Sequence, residues 1–168
     1  WGWGGNVPWN CQTRVWPTRN DVFFRNRVFH PQQQHGPHCV STALAILTGT
    51  EPSHFHGRIN TQDPRSWSAQ LNPWGMQLAY CPTDVRKLKF YLEELLDIDD
   101  LFTLSYYTSH SAEEILADPD PSGWVCGSHI VVLHRDKTID PASGKVTYAW
   151  DHACMGFHTK RIFRVTPV

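Results

Sequence analysis

The chain has 168 residues, and its 15 Lys and Arg against 16 Asp and Glu give a formal net charge of −1. This length predicts a single domain over residues 1–168, and the balanced charge argues against nucleic acid as a partner, because nucleic-acid-binding surfaces concentrate positive charge. The apolar runs, such as Ala43 to Leu47, are far shorter than the roughly 20 residues of a membrane-spanning helix.

The five cysteines are scattered along the chain and form no CxxC pair. This spacing argues against a thiolate zinc site or a dithiol redox motif and favours a reducing compartment such as the cytoplasm. Residues 1–20 lack the apolar segment of an export signal. Because the chain begins at Trp1, secretion after removal of a leader, or delivery as an effector, stays open.

Residues 1–38 are rich in Gly, Pro and Asn, which predicts an irregular arm. Four tryptophans in this arm would be costly to expose to water, so we expect it to wrap onto the domain. The alternative is that the tryptophans form an aromatic platform for a ligand. The four residues are Trp1, Trp3, Trp9 and Trp16.

Apolar periodicity predicts a first helix over residues 39–48, ending at Gly49. Residues 50–82 are predicted to be a long connection with a short helix near Trp67. A second helix is predicted to begin at Thr83 or Asp84, and its apolar stripe is Val85, Leu88, Leu92 and Leu95.

Residues 101–168 are predicted to form mainly strands, with one short helix among them. Ser111, with Glu114 three residues later, forms a capping box for a short third helix. Because helices come first (39–100) and antiparallel strands follow (101–168), we expect an α+β fold with helices on one side of a sheet. The runs with strand character are Phe102–Tyr107, Trp124–Cys126, Ile130–Arg135, Val146–Trp150 and Arg161–Val165.

Cys39 is the strongest candidate for a functional residue. The Gly36-Pro37 turn leads directly into the first turn of the predicted helix, where free backbone N–H groups and the helix dipole favour an anion. A thiolate at this position is a nucleophile. The alternative is a small buried cysteine with only a packing role.

His129 is the candidate for the acid and base that would work with Cys39. It follows Gly127-Ser128 at the start of the most strand-like run of the sequence, so its side chain is expected at the sheet edge. A third residue must accept a hydrogen bond from the imidazole. A tight hairpin after the strand would place Asp140 there, whereas a longer hairpin would place Asp151 opposite His129.

Two segments resemble papain-like cysteine peptidases, and in particular the bacteriocin-leader-processing, C39-like branch. The segment from Gln33 to Gly49 is similar to the nucleophile helix of that family, with a Gln six residues before the Cys. The strand at His129 and the Asp140-Pro-Ala-Ser-Gly144 element are similar to its later motifs. Transglutaminase-like relatives share the same chain order of Cys, His and Asp.

The resemblance implies a papain-like α+β fold in which the nucleophile helix packs on an antiparallel sheet. It implies Cys39 as nucleophile, His129 as base and acid, and Asp140 as the orienting residue. Gln33 would be the oxyanion-hole side chain, although Gln32 and Gln34 flank it and a shift by one residue stays open.

The resulting hypothesis is a thiol hydrolase or acyltransferase that acts on a peptide or protein substrate, as a protease or a glutamine deamidase, with no metal or organic cofactor. One alternative is a non-catalytic peptide-binding module on the same fold. Another is a metal-dependent enzyme, because three clusters contain ligand-type residues. These are His35 with His38 and Cys39, His54 with His56, and Asp151 with His152 and Cys154.

Overall fold

The computed structural model describes residues 20–118, 120–121 and 126–168. Six antiparallel strands of this part of the chain form one sheet, in the spatial order β1-β6-β2-β3-β4-β5. The strands are β1 (Met76–Cys81), β2 (Leu101–Tyr107), β3 (Ser128–His134), β4 (Lys137–Asp140), β5 (Lys145–Tyr148) and β6 (Thr159–Pro167).

Helices occupy both faces of this sheet. The α-helices are α1 (Cys39–Thr48), α2 (Pro64–Leu71), α3 (Lys89–Ile98) and α4 (Ala112–Ile115). Short 3-10 helices cover Pro52–Phe55, Asn72–Trp74, Ala149–Asp151 and Ala153–Gly156.

The core has two main layers, because alternate residues of each strand point to opposite faces of the sheet. In β3, Ile130 and Val132 pack with α1 and α2, whereas Val131 and Leu133 pack with α3 and the 3-10 helix at Ala153–Gly156. The α+β class is therefore confirmed, but the expectation that the helices lie on one side of the sheet is wrong.

Helix α1 has the predicted bounds and is buried along almost its whole length. Residues Val40 to Leu47 are all buried, and the helix packs on β3. Gly49 ends it with φ of +73°, a left-handed conformation that glycine adopts without steric cost. Burial fixes the direction of the helix, and hence the position of Cys39 at its first turn.

The tight hairpin predicted after His129 is present. Strands β3 and β4 pair so that His134 lies opposite Lys137, which leaves only Arg135 and Asp136 for the turn. Arg135 takes the left-handed conformation that such turns require, with φ of +60°. The hairpin brings the end of β4 back to the start of β3.

Two predictions about the middle of the chain are wrong. Strand β1 lies within the segment predicted to be a connection, where it pairs with β6 along its whole length. Helix α3 begins at Lys89 rather than near Asp84, because the preceding backbone bonds to the segment before β6. The N–H of Leu88 donates to the carbonyl of Phe157, and the N–H of Thr159 donates to that of Arg86.

Some predictions concern residues outside the described ranges. They include Trp1, Trp3, Trp9 and Trp16, and most of the predicted strand at Trp124–Cys126; Cys126 itself lies in a bend. The described end of the arm, from residue 20, does pack onto the domain, since Phe24 is buried. Among the described helices, none combines the length and hydropathy needed to cross a bilayer.

Candidate active site

The Cys39 side chain lies at the first residue of α1, half-buried at the mouth of a pocket. The first N–H groups of a helix have no partner within it. At the cap position His38 makes no side-chain hydrogen bond to these groups among the described residues. The amino end of α1 is therefore available to stabilise negative charge beside the sulfur.

His129 faces Asp140 across the β3–β4 hairpin. Nε2 of the imidazole lies 2.8 Å from Oδ1 of Asp140, and both side chains are only about 15% exposed. Since the two strands are joined by a two-residue turn, a short and rigid connection holds this pair together.

The His129 ring also lies beside the Cys39 side chain at the pocket wall, close enough for the sulfur to raise the pKa of the imidazole. Because Nε2 is directed at Asp140, Nδ1 is the ring nitrogen that remains for the sulfur. Burial by itself lowers the pKa of His129, but the interactions with Asp140 and Cys39 outweigh it and raise the pKa to about 9. The charged imidazolium is thus favoured at neutral pH.

Asp140 is held as a carboxylate by three donors. Besides His129, it accepts hydrogen bonds from Nε2 of His152 at 2.8 Å and from the backbone N–H of Ala142 at 2.8 Å. Burial opposes ionisation, yet the hydrogen bonds from His129 and His152 keep the pKa of Asp140 well below its usual range.

His152 is a member of the site that sequence reasoning did not assign to it. Its Nδ1 accepts a hydrogen bond from the backbone N–H of Cys154 at 2.9 Å. This leaves the proton of the neutral ring on Nε2, which points to Asp140. Its sequence signal is the Asp151-His152-x-Cys154 cluster, whose residue types also suit a metal site.

Gln33 does not line the pocket at Cys39; the neighbouring Gln34 does. The exposed Gln33 side chain donates to the carbonyl of Ala142 at 3.3 Å and packs against Gly144. The N–H of Gln34 donates to the carbonyl of Pro141 at 2.7 Å, so the loop after Asp140 fixes the glutamine loop. The structure thus favours the shift by one residue.

Asp151 does not lie opposite His129. It ends the 3-10 helix after β5, where it is exposed. The short hairpin leaves the position beside His129 to Asp140, and the residue of the later segment that reaches the site is His152.

The pocket has a volume of about 490 Å³ and lies between the amino end of α1, the segment before α2 and the sheet. Cys39, His129 and Gln34 contribute to its wall, and so do two consecutive basic residues of β6, Lys160 and Arg161.

The four described cysteines are all free, but Cys39 is only partly buried whereas the other three are buried. Burial raises the pKa of Cys126, and it raises the pKa of Cys154 to about 12. Burial also raises the pKa of Cys81 far above its usual range. Such thiols are poor nucleophiles at neutral pH, which makes Cys39 the reactive candidate in the described part of the chain.

Among the described residues, no group of three or more His, Cys, Asp or Glu side chains is arranged to hold a metal ion. Within the first candidate cluster, the ring of His38 instead packs against that of His56, with centroids 4.1 Å apart.

No protein-family model matches the sequence, and no curated protein or solved structure shows significant similarity to it. Its function therefore has to be inferred from the arrangement of Cys39, His129, Asp140 and His152.

Proposed function

We propose that this protein is a papain-like thiol hydrolase that cleaves an amide bond in a peptide or protein substrate. The observation that carries the proposal is the position of the His129 ring, which lies beside the nucleophile candidate Cys39 and is hydrogen-bonded to the carboxylate of Asp140. A base that touches both a thiol and an orienting carboxylate is the arrangement of a nucleophilic triad.

In the first step, the thiol proton of Cys39 moves to His129, and the resulting thiolate Sγ attacks the carbonyl carbon of the amide. The C–S bond forms as the carbonyl π electrons move to oxygen. When the oxyanion collapses, the C–N bond breaks, and the imidazolium of His129 donates its proton to the leaving nitrogen. The products are a thioester on Cys39, a free amine and a neutral His129.

In the second step, water attacks the thioester carbonyl while His129 takes one of its protons. The C–S bond breaks, the acid leaves, and the thiolate of Cys39 and the imidazolium of His129 are restored. Attack by an amine instead of water would give acyl transfer, and a side-chain amide as substrate would give deamidation.

Gln34 is the side chain we assign to the oxyanion. Its amide nitrogen donates to the carbonyl of Gly36 at 3.0 Å and carries a second hydrogen. Together with the backbone N–H of Cys39 at the amino end of α1, this group would stabilise the negative charge of the tetrahedral intermediate.

The proposal is tested by incubating the protein with a complex mixture of proteome-derived peptides and detecting new termini and deamidated residues by mass spectrometry. We expect products with the wild type and none with Cys39→Ala, since the small, half-buried side chain contributes little to folding. Cys154→Ala is the matched control, and its folded molecules should retain activity.

A second measurement follows alkylation of Cys39 by iodoacetamide near neutral pH. Cys39 should react much faster than an unfolded thiol, and His129→Ala should remove the advantage. If Cys39 reacts no faster than an unfolded thiol and no product forms, the protein is a non-catalytic binding module and the proposal is wrong.

A further inference from the structure

Two consecutive cations line the pocket beside Cys39. Lys160 and Arg161 follow one another in β6 and both contribute to the pocket wall, although consecutive residues of a regular strand point to opposite faces of the sheet. Both residues are buried, with 9% and 3% of their surface exposed. A strand that buries two adjacent charges at one pocket needs a physical explanation.

A β-bulge explains how both side chains reach the same pocket. In the pairing of β2 with β6, Ser105 lies opposite Arg161 and Tyr106 lies opposite Thr159, so Lys160 is the extra residue. Bulges re-aim side chains and are frequent beside functional sites. The irregularity turns Lys160 to the face that Arg161 already occupies.

The charge of Lys160 is not neutralised by a carboxylate. Its Nζ donates to the hydroxyl of Ser128 at 3.2 Å and lies 5.8 Å from the centre of the Tyr107 ring. It forms no ion pair with any described residue, and all the acidic residues of the chain lie within the described ranges.

The pKa values of Lys160 and Arg161 are consistent with two buried cations that lie close to each other. Burial, followed by the neighbouring charge of Arg161, lowers the pKa of Lys160 to about 8. Burial likewise lowers the pKa of Arg161 to about 10. Both groups are thus mostly charged at neutral pH, and an anion in the pocket would stabilise their charged forms.

We infer that Lys160 and Arg161 form an anion-binding subsite, and that the substrate carries a carboxylate close to the carbonyl that Cys39 attacks. The inference rests on the proposed function, because it concerns the substrate of the same site. The carboxylate has two possible sources in a peptide, an acidic side chain or a free C-terminus.

The test compares the rates at which iodoacetate and iodoacetamide alkylate Cys39. Both reagents are attacked by the same thiolate and lose the same leaving group, so their rate ratio cancels any change in the thiolate fraction. The ratio reports only the preference of the pocket for negative charge. We expect the rate with iodoacetate, divided by the rate with iodoacetamide, to be higher for the folded protein than for the same thiol in denaturant.

Substitutions assign that preference to the two cations. Lys160→Met and Arg161→Met should each lower the ratio about fivefold, as expected for removal of a nearby charge in a poorly screened pocket. Lys160→Arg keeps the charge and should keep the ratio. Lys89→Met removes an exposed lysine on α3 and is the matched control with no expected effect. Should Lys160→Met fail to fold, Lys160→Gln and a salt titration of the wild type replace it.

The source of the carboxylate is tested by protection of Cys39 from iodoacetamide. Three alanine-based peptides with a blocked N-terminus are compared. The first has an internal Glu and an amidated C-terminus, the second has Gln and a free C-terminus, and the third has Gln and an amidated C-terminus. The peptide that protects identifies the source. If neither acidic peptide protects better than the neutral one, or if Lys160→Met and Arg161→Met leave the ratio unchanged, the inference is overturned.

Failure of the inference and failure of the proposed function are distinguishable. A rapid, His129-dependent reaction of Cys39 with iodoacetamide, without any preference for iodoacetate, would overturn the anion subsite alone. A slow reaction with both reagents would overturn the thiol hydrolase itself.

Discussion

Two regions of the molecule contain acidic groups paired with basic groups away from solvent, and they differ in what surrounds them. In the first, Asp100 and Arg164 lie 2.6 Å apart and are fully buried. The carboxylate of Asp100 also accepts hydrogen bonds from the N–H groups of Phe23 and Phe24, both at 2.8 Å. In the second, Asp140 is hydrogen-bonded to His152 and to His129, and His129 lines the pocket at Cys39.

The difference separates a structural from a chemical use of buried charge. Asp100 and Arg164 connect the segment at residues 20–38 to β2 and β6. Asp140 instead bonds two imidazole rings, and one of them, His129, also lies beside the Cys39 thiol. Substitutions at the first region should affect stability, and those at the second should affect chemistry.

The largest effect on chemistry, short of removing Cys39 or His129, is expected from Asp140→Ala. Without the carboxylate, His129 loses the acceptor that orients its ring and stabilises its charged form. Because general acid–base catalysis contributes about 10²–10⁴-fold, we expect the hydrolysis rate to fall within that range. The rate is measured together with a thermal melt, to count only folded protein.

Asp151→Ala is the matched control for this experiment, since Asp151 is an exposed neighbour in the chain of His152. It should change the rate by less than the error of the measurement. A larger loss with Asp151→Ala than with Asp140→Ala would contradict the assignment of the third residue.

Asp100→Asn should have the largest effect on stability. It leaves the guanidinium of Arg164 buried without its negative partner, a change that typically costs about 3–5 kcal/mol. Urea unfolding measures the loss, while the activity per folded molecule should stay unchanged. The comparison of the two regions fails if the folded variant is inactive.

Asp99→Asn provides the control at the adjacent position. Asp99 pairs with Arg25 and Arg135 at the surface, where ion pairs contribute about 0–1 kcal/mol. Its left-handed backbone, with φ of +56°, suits asparagine well. The stability of this variant should therefore stay close to that of the wild type.

The neighbouring Asp99 and Asp100 also show where sequence reasoning stops. Both follow a helix in a run of acidic residues, which is typical of a solvated helix end. Only Asp100 is fully buried, because it pairs with Arg164. Arg164 lies 64 positions away in the sequence, and no local pattern indicates this pairing.

Local patterns did identify the parts of the site that neighbouring residues determine. The bounds of α1 follow from its periodicity and Gly49, and the hairpin after His129 follows from its turn residues. Strand β1 was missed because its burial depends on pairing with the distant β6. His152 and the bulge at Lys160 likewise depend on the register of segments that meet only in the folded chain.

His152→Phe should have a smaller effect on activity than loss of Asp140. It keeps an aromatic ring but removes the Nε2–H donor to Asp140, and hydrogen bonds to charged groups contribute about 1.5–3 kcal/mol. We expect a loss of about ten- to a hundredfold in rate. Since the pKa of Asp140 rises without this donor, the acidic limb of the pH–rate profile should move to higher pH.

His152→Gln tests whether His152 acts through that hydrogen bond. The glutamine amide can donate to Asp140 from a similar position, so this variant should recover part of the rate and of the acidic limb. Equal losses in both variants, without any shift of the pH profile, would mean that His152 only fills space.

The smallest expected effect concerns the protonation of His129. Its pKa is raised from 6.5 to about 9, so the stability that its protonation contributes is fully present below pH 6.5 and is lost as the pH rises through about 9. The difference in melting temperature between the wild type and His129→Ala should shrink over this interval.

NMR titration of the His129 imidazole should show a lower pKa in Cys39→Ala, because one of the two groups that raise this pKa is gone. In Asp100→Asn the same titration should match the wild type, since the buried pair at Asp100 and the proton-exchanging pair at Asp140 are separate. A shift of the His129 pKa in Asp100→Asn would show that the two regions are coupled.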